Sequence, residues 1–263
     1  MSARRLPDGF SPWLPFLTLL RREILRFLRV FIQTLLTPIL TASLYLFVFG
    51  ATLGERISVL PGFSYAQFVI PGLIIMGVIN NSFANTSSSL FMSRYLGQIV
   101  DLLVTPITPP QVIFAYTLAA MLRGLLVGSV VLIISTLFAP LPWVHPLLAL
   151  FMAALASLTF AQFGLIAAIY ASNFDGLSMY SNFVILPLIY LGGVFYPLSI
   201  LPPFWEGLSR FNPLFYLIDG FRHALLGVGD ASLLLSFGIS IGLASILFAW
   251  AAWLIGRGHR LHT

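Results

Sequence analysis

Apolar runs long enough to cross a bilayer recur along this whole chain, and almost no charge falls inside them. Six are read, at roughly 30–52, 65–90, 112–139, 146–171, 178–198 and 231–256. The first, from Val30 to Gly50, is about 31 Å long as a helix, enough for a hydrocarbon core. Several runs are apolar all the way round, which suits a helix whose solvent is lipid. Apolar residues make up 59% of the chain and charged residues 8%, where a soluble domain carries about a quarter. The expected fold is therefore an all-α polytopic membrane protein, 1–263 forming a single transmembrane domain. The links between spans are short, except for the long and not very polar 199–230.

All thirteen basic residues are arginine, and the formal charge is +5. Such a balance can mark a nucleic-acid binder, but the positions argue for a membrane. Arg21, Arg22, Arg26 and Arg29 crowd just before the first apolar run, where positive charge orients a spanning helix. With the N-terminus inside, Arg4, Arg5, Arg94, Arg257 and Arg260 join them on the cytoplasmic face. Arg56, Arg210 and Arg222 fall outside, and Arg123 lies within the third span. An even six spans place both termini in the cytoplasm. The chain has no Cys, so it has no disulfide framework and no thiolate metal site. The N-terminus does not read as a removable signal peptide, because its basic region is too long and no small-residue cleavage site follows.

Residues 11–29 read as an amphipathic helix on the cytoplasmic leaflet. Trp13, Phe16, Leu17, Leu20, Ile24, Phe27 and Leu28 recur at spacings of three and four, and Arg22, Arg26 and Arg29 take the other side. Ser11 before Pro12 makes a good start. A plain cytoplasmic extension of the first span is the other reading. The second span ends in a polar run containing Asn80, Asn81, Ser82, Asn85 and Thr86–Ser89. Lipid tolerates such a face poorly, so it is expected to meet protein or a wet cavity. Arg123 is expected to turn the same way, either lining a passage for an anionic group or holding helices together. Gly124-x-x-x-Gly128 and Gly238-x-x-x-Gly242 both permit close helix approach.

Catalytic motifs are missing. A phosphate-binding loop of the G-x-x-x-x-G-K-[ST] type requires a lysine, and the sequence has none. Neither H-E-x-x-H nor G-x-S-x-G occurs. His145, His223, His259 and His262 lack metal-ligand spacing and read as interfacial residues. Gly227-Val228-Gly229-Asp230 imitates an intramembrane-protease aspartate motif, but no second aspartate sits inside a span, so Asp230 reads as the N-cap of the sixth helix. The acidic residues, Glu23 among them, read as lying at ends and in loops, which disfavours an ion-coupled transporter. The absence of repeated halves weighs the same way.

Two further segments stand out. Arg94–Gln111 is the longest cytoplasmic loop; Leu96, Ile99, Val100, Leu103 and Val104 give its first part an apolar side, and Pro106 stops it. Residues 195–227 are cut by Pro197, Pro202, Pro203 and Pro213 into pieces shorter than a span and carry many aromatic residues. They read as two short helices dipping into the outer leaflet, with Asp219 and Arg222 paired on one face.

Taken together, the basic first helix, LLVTPITPPQVIFA at 102–115, PGL at 71–73, YLGGVFYPL at 190–198 and FYPLSILPPFWEGLSRFNPLFYLIDGFRHALLG at 195–227 resemble the ABC-2-type exporter permeases, and most closely the YadH-like inner-membrane branch. The resemblance covers nearly the whole chain. It implies the ABC-2 (type V exporter) fold: six transmembrane helices, an N-terminal interfacial helix at 11–29, a cytoplasmic coupling helix at 94–105 and re-entrant outer helices at 199–227. It implies a bacterial inner-membrane permease without enzymatic activity, exporting an amphiphile such as a lipid, glycolipid, polysaccharide or drug. The implied partners are a second copy of the chain, two ABC ATPase subunits that bind the ATP and Mg, and membrane lipid, with no nucleic acid. Spans one, two and five would line the dimer interface and passage. Arg94, Leu96, Asp101, Leu102, Leu103 and Pro106 would couple to the ATPase. Asn80, Asn81, Asn85, Arg123, Gly192 and Gly193 would serve passage or packing. Phe204, Trp205, Asn212, Asp219 and Arg222 would form the outer gate. The alternative in a different class is an ion-coupled secondary transporter.

Overall fold

The computed structural model describes residues 11, 13–50 and 62–257, and the side chains of all of these except 49, 50 and 101–103. Arg4, Arg5, Asp8, Pro12, Glu55, Arg56, His259, Arg260 and His262 lie outside the described residues. In chain order the helices are α1 (Leu14–Leu28), α2 (Phe31–Tyr45, continued by a π turn Leu46–Gly50), α3 (Tyr65–Tyr95), α4 (Ile99–Val104), α5 (Pro109–Ser135) and α6 (Pro146–Tyr170). There follow α7 (Phe174–Met179, a π turn Tyr180–Ile185, then Leu186–Tyr190), a short 3₁₀ turn Leu198–Ile200, α8 (Pro203–Phe211), α9 (Pro213–Leu226) and α10 (Leu233–Gly256). No strand occurs among the described residues.

The longest helix, α3, is the hub. It begins at a reciprocal cap in which Ser64 accepts from the Gln67 amide at 3.3 Å and Gln67 Oε1 accepts from the Ser64 amide at 2.9 Å. It packs most extensively against α6 and α5. Small residues set these approaches. A Cβ at Gly124 of α5 would collide with Ser82 Oγ and stand 2.8 Å from Ser157 Oγ; one at Gly164 of α6 would collide with Thr86 Oγ1 and stand 2.7 Å from the Phe83 carbonyl. Ser82 and Ser157 share a hydrogen bond of 2.6 Å across the α3–α6 contact. Without hydrophobic drive between helices in lipid, such backbone approach and interhelical hydrogen bonding hold a bundle together.

Among the described residues, five helices are long and apolar enough to cross a membrane: Phe31–Val48, Tyr65–Tyr95, Pro109–Ser135, Pro146–Tyr170 and Leu233–Gly256. The fifth expected span lies at 174–190 rather than 178–198. Its 17 residues reach about 25 Å, short of a hydrocarbon core of about 30 Å. Pro187 explains the π turn, because its ring removes an amide and crowds the carbonyl one turn earlier, which a wider turn relieves. The helix ends at Tyr190, and Gly193 follows with a left-handed φ of 73°.

The expected first helix at 11–29 is found at Leu14–Leu28, and the single coupling helix expected at 94–105 is divided. Arg94 belongs to the last turn of α3, Leu96 is its cap, and Gly97 at φ 72° breaks the chain before α4. Within 199–227, two short helices occur where they were expected. They differ in burial: α9 is almost wholly buried against α6, α10 and α3, whereas α8 exposes Phe204, Trp205, Leu208 and Phe211.

Candidate functional site: a polar seam along α3

Most of α3 is enclosed by its own chain, so the second span is not free on all sides to form a dimer interface. One strip of it reaches the surface: Gly77, Asn80, Asn81, Ala84, Ser88 and Met92, spaced mostly by four and therefore on one helix face. Two cavities open along this strip. A cavity of about 170 Å³ lies between α2 and α3, lined by Thr37, Pro38, Thr41, Asn80 and Asn81. A cleft of about 450 Å³ lies nearer the end of α3, against α1.

Between them runs a network of charged and amide groups. Arg123, well inside α5, donates to Asn81 Oδ1 and to Asn85 Oδ1, each at 3.4 Å. Arg26 of α1 donates to the same Asn85 Oδ1 at 3.0 Å and to the Asn85 carbonyl at 2.8 Å. Its Nε also donates to Glu23 Oε2 at 3.2 Å. Arg22 donates to Glu23 Oε1 at 3.3 Å and to the Tyr116 hydroxyl at 3.5 Å, and Ser89 donates to Glu23. Glu23 itself is 0% exposed. A carboxylate buried that completely is stable only when its oxygens are paired, and here two guanidinium groups and a hydroxyl hold them.

The placement of Glu23 corrects the expectation that the acids sit at ends and in loops. Leu19, Glu23 and Phe27 form the buried stripe of α1, which docks on α5. The arginine face expected to meet water instead reaches the seam, while Trp13, Leu14, Leu17 and Leu28 stay exposed for lipid. The sequence signal was available: the Arg22-Glu23 pair with Arg26 one turn on is a local ion cluster. Glu23 and Tyr116 are the seam residues that sequence reasoning missed, while Ser89 was already part of the polar run expected to meet protein.

At the other face of the network, the α4 end has its own logic. Arg94 Nη1 donates to the carbonyls of Ala168, Ile169 (2.9 Å) and Ala171 (3.3 Å). A cation at a helix C-terminus satisfies orphan carbonyls and meets the negative end of the dipole. Arg94 thereby ties the end of α3 to the end of α6. Beyond it, Leu96, Val100 and Val104 are all more than half exposed, while Ile99 is buried in the bundle. Pro106 is exposed just after α4. The side chains of Asp101, Leu102 and Leu103 lie outside the described residues.

Comparison with known proteins fits this architecture. The family model for the ABC-2 type transporter matches residues 15–226. The chain belongs to the ABC-2 transporter family. It is 42% identical to the inner membrane transport permease YadH of Escherichia coli K12 over 253 residues, 94% of this chain and 98% of that one. It is 27% identical to nodulation protein J of Rhizobium leguminosarum bv. viciae over 241 residues, 91% and 92% of the two chains. An ABC-2 chain of this kind is a transporter's membrane subunit.

Around α8 and α9 of this ABC-2 subunit, the residues expected to gate divide into two sets. Asp219 and Arg222 are both buried and pair at 3.8 Å. Arg222 also donates to the Gly193 carbonyl and, at 3.4 Å, to that of Phe68, with its guanidinium 4.0 Å above the Phe68 ring. Asp219 accepts from the amides of Asp230 (2.8 Å) and Ala231 (3.0 Å). Asn212 joins the outer helices: its Oδ1 accepts from the Leu214 amide at 3.0 Å, and its Nδ2 donates to the Leu188 carbonyl at 2.6 Å. These three residues lock α9 to α3, α7 and the start of α10. Phe204 and Trp205 stack edge to face on exposed α8, with the Glu206–Arg210 pair at 2.8 Å beside them. That carboxylate raises the Arg210 guanidinium above its ordinary pKa through their hydrogen bond.

Two further expectations change. Asp230 does not cap the sixth helix; Ser232 does, with its Oγ accepting from the Leu235 amide at 3.4 Å, and Asp230 instead accepts from the Leu198 amide at 3.1 Å. Gly192 and Gly193 lie in the turn beyond α7 and pack inside the subunit. A Cβ on Gly192 would come 2.7 Å from Ile218 Cδ1 of α9. Among the described residues no cluster of three or more His, Cys, Asp or Glu is arranged to hold a metal.

Proposed function

We propose that this chain is the permease half of an ATP-driven exporter, working as a pair of copies over two separate ATPase subunits that bind ATP and Mg. The observation that carries this reading is the α3 seam, a polar strip with an arginine at membrane depth inside an ABC-2 bundle. The sequence has no lysine and therefore no phosphate-binding loop of its own. With α7 counted as a shortened fifth span, the spans number six, both termini lie in the cytoplasm and the seam runs inward from mid-membrane. Ile32, Leu36, Leu40, Leu44 and Phe47 of the first span, whose Thr37 and Thr41 line the seam cavity, leave an apolar surface uncovered, as does Phe183 of the fifth, which supports a second copy closing the passage. The exposed Leu96, Val100 and Val104 at the cytoplasmic end support an ATPase as their cover. Arg94 then carries displacement from that contact to the ends of α3 and α6. The relative named as an inner membrane transport permease supports an inner-membrane location; the cargo in this reading is an amphiphile, moved outward past α8 as the outer lip.

The test is co-expression with the ATPase encoded beside this chain, followed by reconstitution. The expected result is a co-purifying complex with cargo-stimulated hydrolysis, and an inert chain when it is reconstituted alone. Uphill transport by the solitary chain would refute the reading.

A further inference from the structure

The cleft between α1 and the cytoplasmic turns of α3 has a charge and shape that the seam alone does not explain. Arg22, Arg26 and Arg29 line it together with Ser88, Ser93 and Gln98, and Glu23 is its one acidic lining residue among those described. Three guanidinium groups against one carboxylate leave two positive charges uncompensated by the lining.

Glu23 cannot absorb them, because both of its oxygens are already taken by Arg22, Arg26 and Ser89. A guanidinium has five N–H donors, so each arginine keeps donors to spare. The side chains of Arg22 and Arg26 remain 48% and 37% exposed at the cleft, and Arg29 meets no carboxylate among the described residues. Deeper in, Arg26 and Arg123 share a neutral amide oxygen, that of Asn85.

Position adds the second half of the argument. Ser88 is seven residues from the end of α3, about 10 Å along the axis, so the cleft sits at head-group depth on the cytoplasmic side. Leu25 and Met92 line it and are also among the exposed apolar residues, which gives an occupant's hydrocarbon a path to lipid. At about 450 Å³ the cleft is large enough for a head group. Arginine forks match phosphate oxygens two at a time, which a lysine does not.

We propose that this cleft binds the phosphate group of an amphiphile in the cytoplasmic leaflet, and that phosphate-bearing amphiphiles are the cargo class. The inference builds on the permease reading, with the seam leading from the cleft to Arg123 as the next cation inward.

The test uses the full-length chain in detergent, without any ATPase, so its outcome is independent of whether the chain is ATP-driven. Fluorescent phosphatidic acid and a fluorescent diacylglycerol of the same chains, which lacks the phosphate, are titrated into it. The expected result is phosphatidic acid binding at least about tenfold tighter. Arg29→Gln breaks no hydrogen bond found among the described residues and should cut that preference severalfold; adding Arg22→Gln should nearly abolish it. Arg21→Gln removes the same charge from the same helix outside the cleft and should leave the preference intact. Inorganic pyrophosphate as competitor separates the sources: displacement supports recognition of the phosphate group by itself, and its failure supports recognition of phosphate only when carried on an amphiphile. Equal binding of the two lipids overturns the proposal. So does a loss in Arg21→Gln as large as in Arg29→Gln, because basic-surface attraction would then suffice.

Discussion

Two glycine pairs with the same spacing, Gly124/Gly128 and Gly238/Gly242, should respond in opposite directions to alanine. On α5, a Cβ at Gly124 meets Ser157 Oγ at 2.8 Å, the Val78 carbonyl at 3.2 Å and Ser82 Oγ closer still; at Gly128 it meets Val78 Cγ2 at 2.7 Å. Ser82 cannot swing aside without losing its 2.6 Å bond to Ser157 and its 2.7 Å bond to the Val78 carbonyl. Overpacking of this kind costs about 1–3 kcal/mol per site, offset by up to about 1 kcal/mol of helix propensity for Gly→Ala. The double variant should therefore lose about 2 kcal/mol. On α10, a Cβ at Gly238 or Gly242 meets nothing within 4 Å, so only the propensity gain remains, about 1–2 kcal/mol for the pair. At about 2–4 °C per kcal/mol for a chain of this size, the two double variants should differ in thermal midpoint on the order of 10 °C, read by tryptophan fluorescence in one detergent. Equal shifts, or a larger fall in Gly238→Ala/Gly242→Ala, would refute the packing argument.

Glu23→Ala removes the counter-charge of Arg22 and Arg26 while burying their stems as before. Breaking a buried pair from one side costs about 3–5 kcal/mol; because both arginines are partly exposed and screened, about 1–3 kcal/mol is expected. A double-mutant cycle with Arg26→Gln in thermal unfolding should show coupling of at least about 0.5 kcal/mol, and additive losses would mean the contact carries no energy. On α4, Asp101→Arg or Leu102→Glu should leave insertion and ATPase binding in place yet separate hydrolysis from transport. Normal transport-linked hydrolysis in both variants would remove α4 from the coupling role.

Several features were readable because they are local. Five of the six expected spans follow from the length of the apolar runs. Helices α8 and α9 follow from prolines that cannot continue a helix, with Asn212 and Pro213 starting α9. The Asp219–Arg222 pair follows from helical spacing. Other features were illegible because they depend on what lies opposite. Glu23 looks like one more charge in a basic helix until α5 and Ser89 are placed against it. Asp230 has the right residue type and place for a helix cap, but Leu198 reaches it first across 32 positions of sequence. The break at Gly97 depends on a left-handed residue that a cluster of leucines and valines conceals.

By itself, then, the sequence determined the solvent and the helical class, because both depend on composition and on residues close together in the chain. Only the tertiary structure decided which helix is the hub, which glycines touch a neighbour, and where the arginines of α1 point. Those outcomes turn on distances between segments far apart in sequence: in lipid every apolar face looks alike to the solvent, and only the small and polar side chains that find each other across the bundle choose the arrangement.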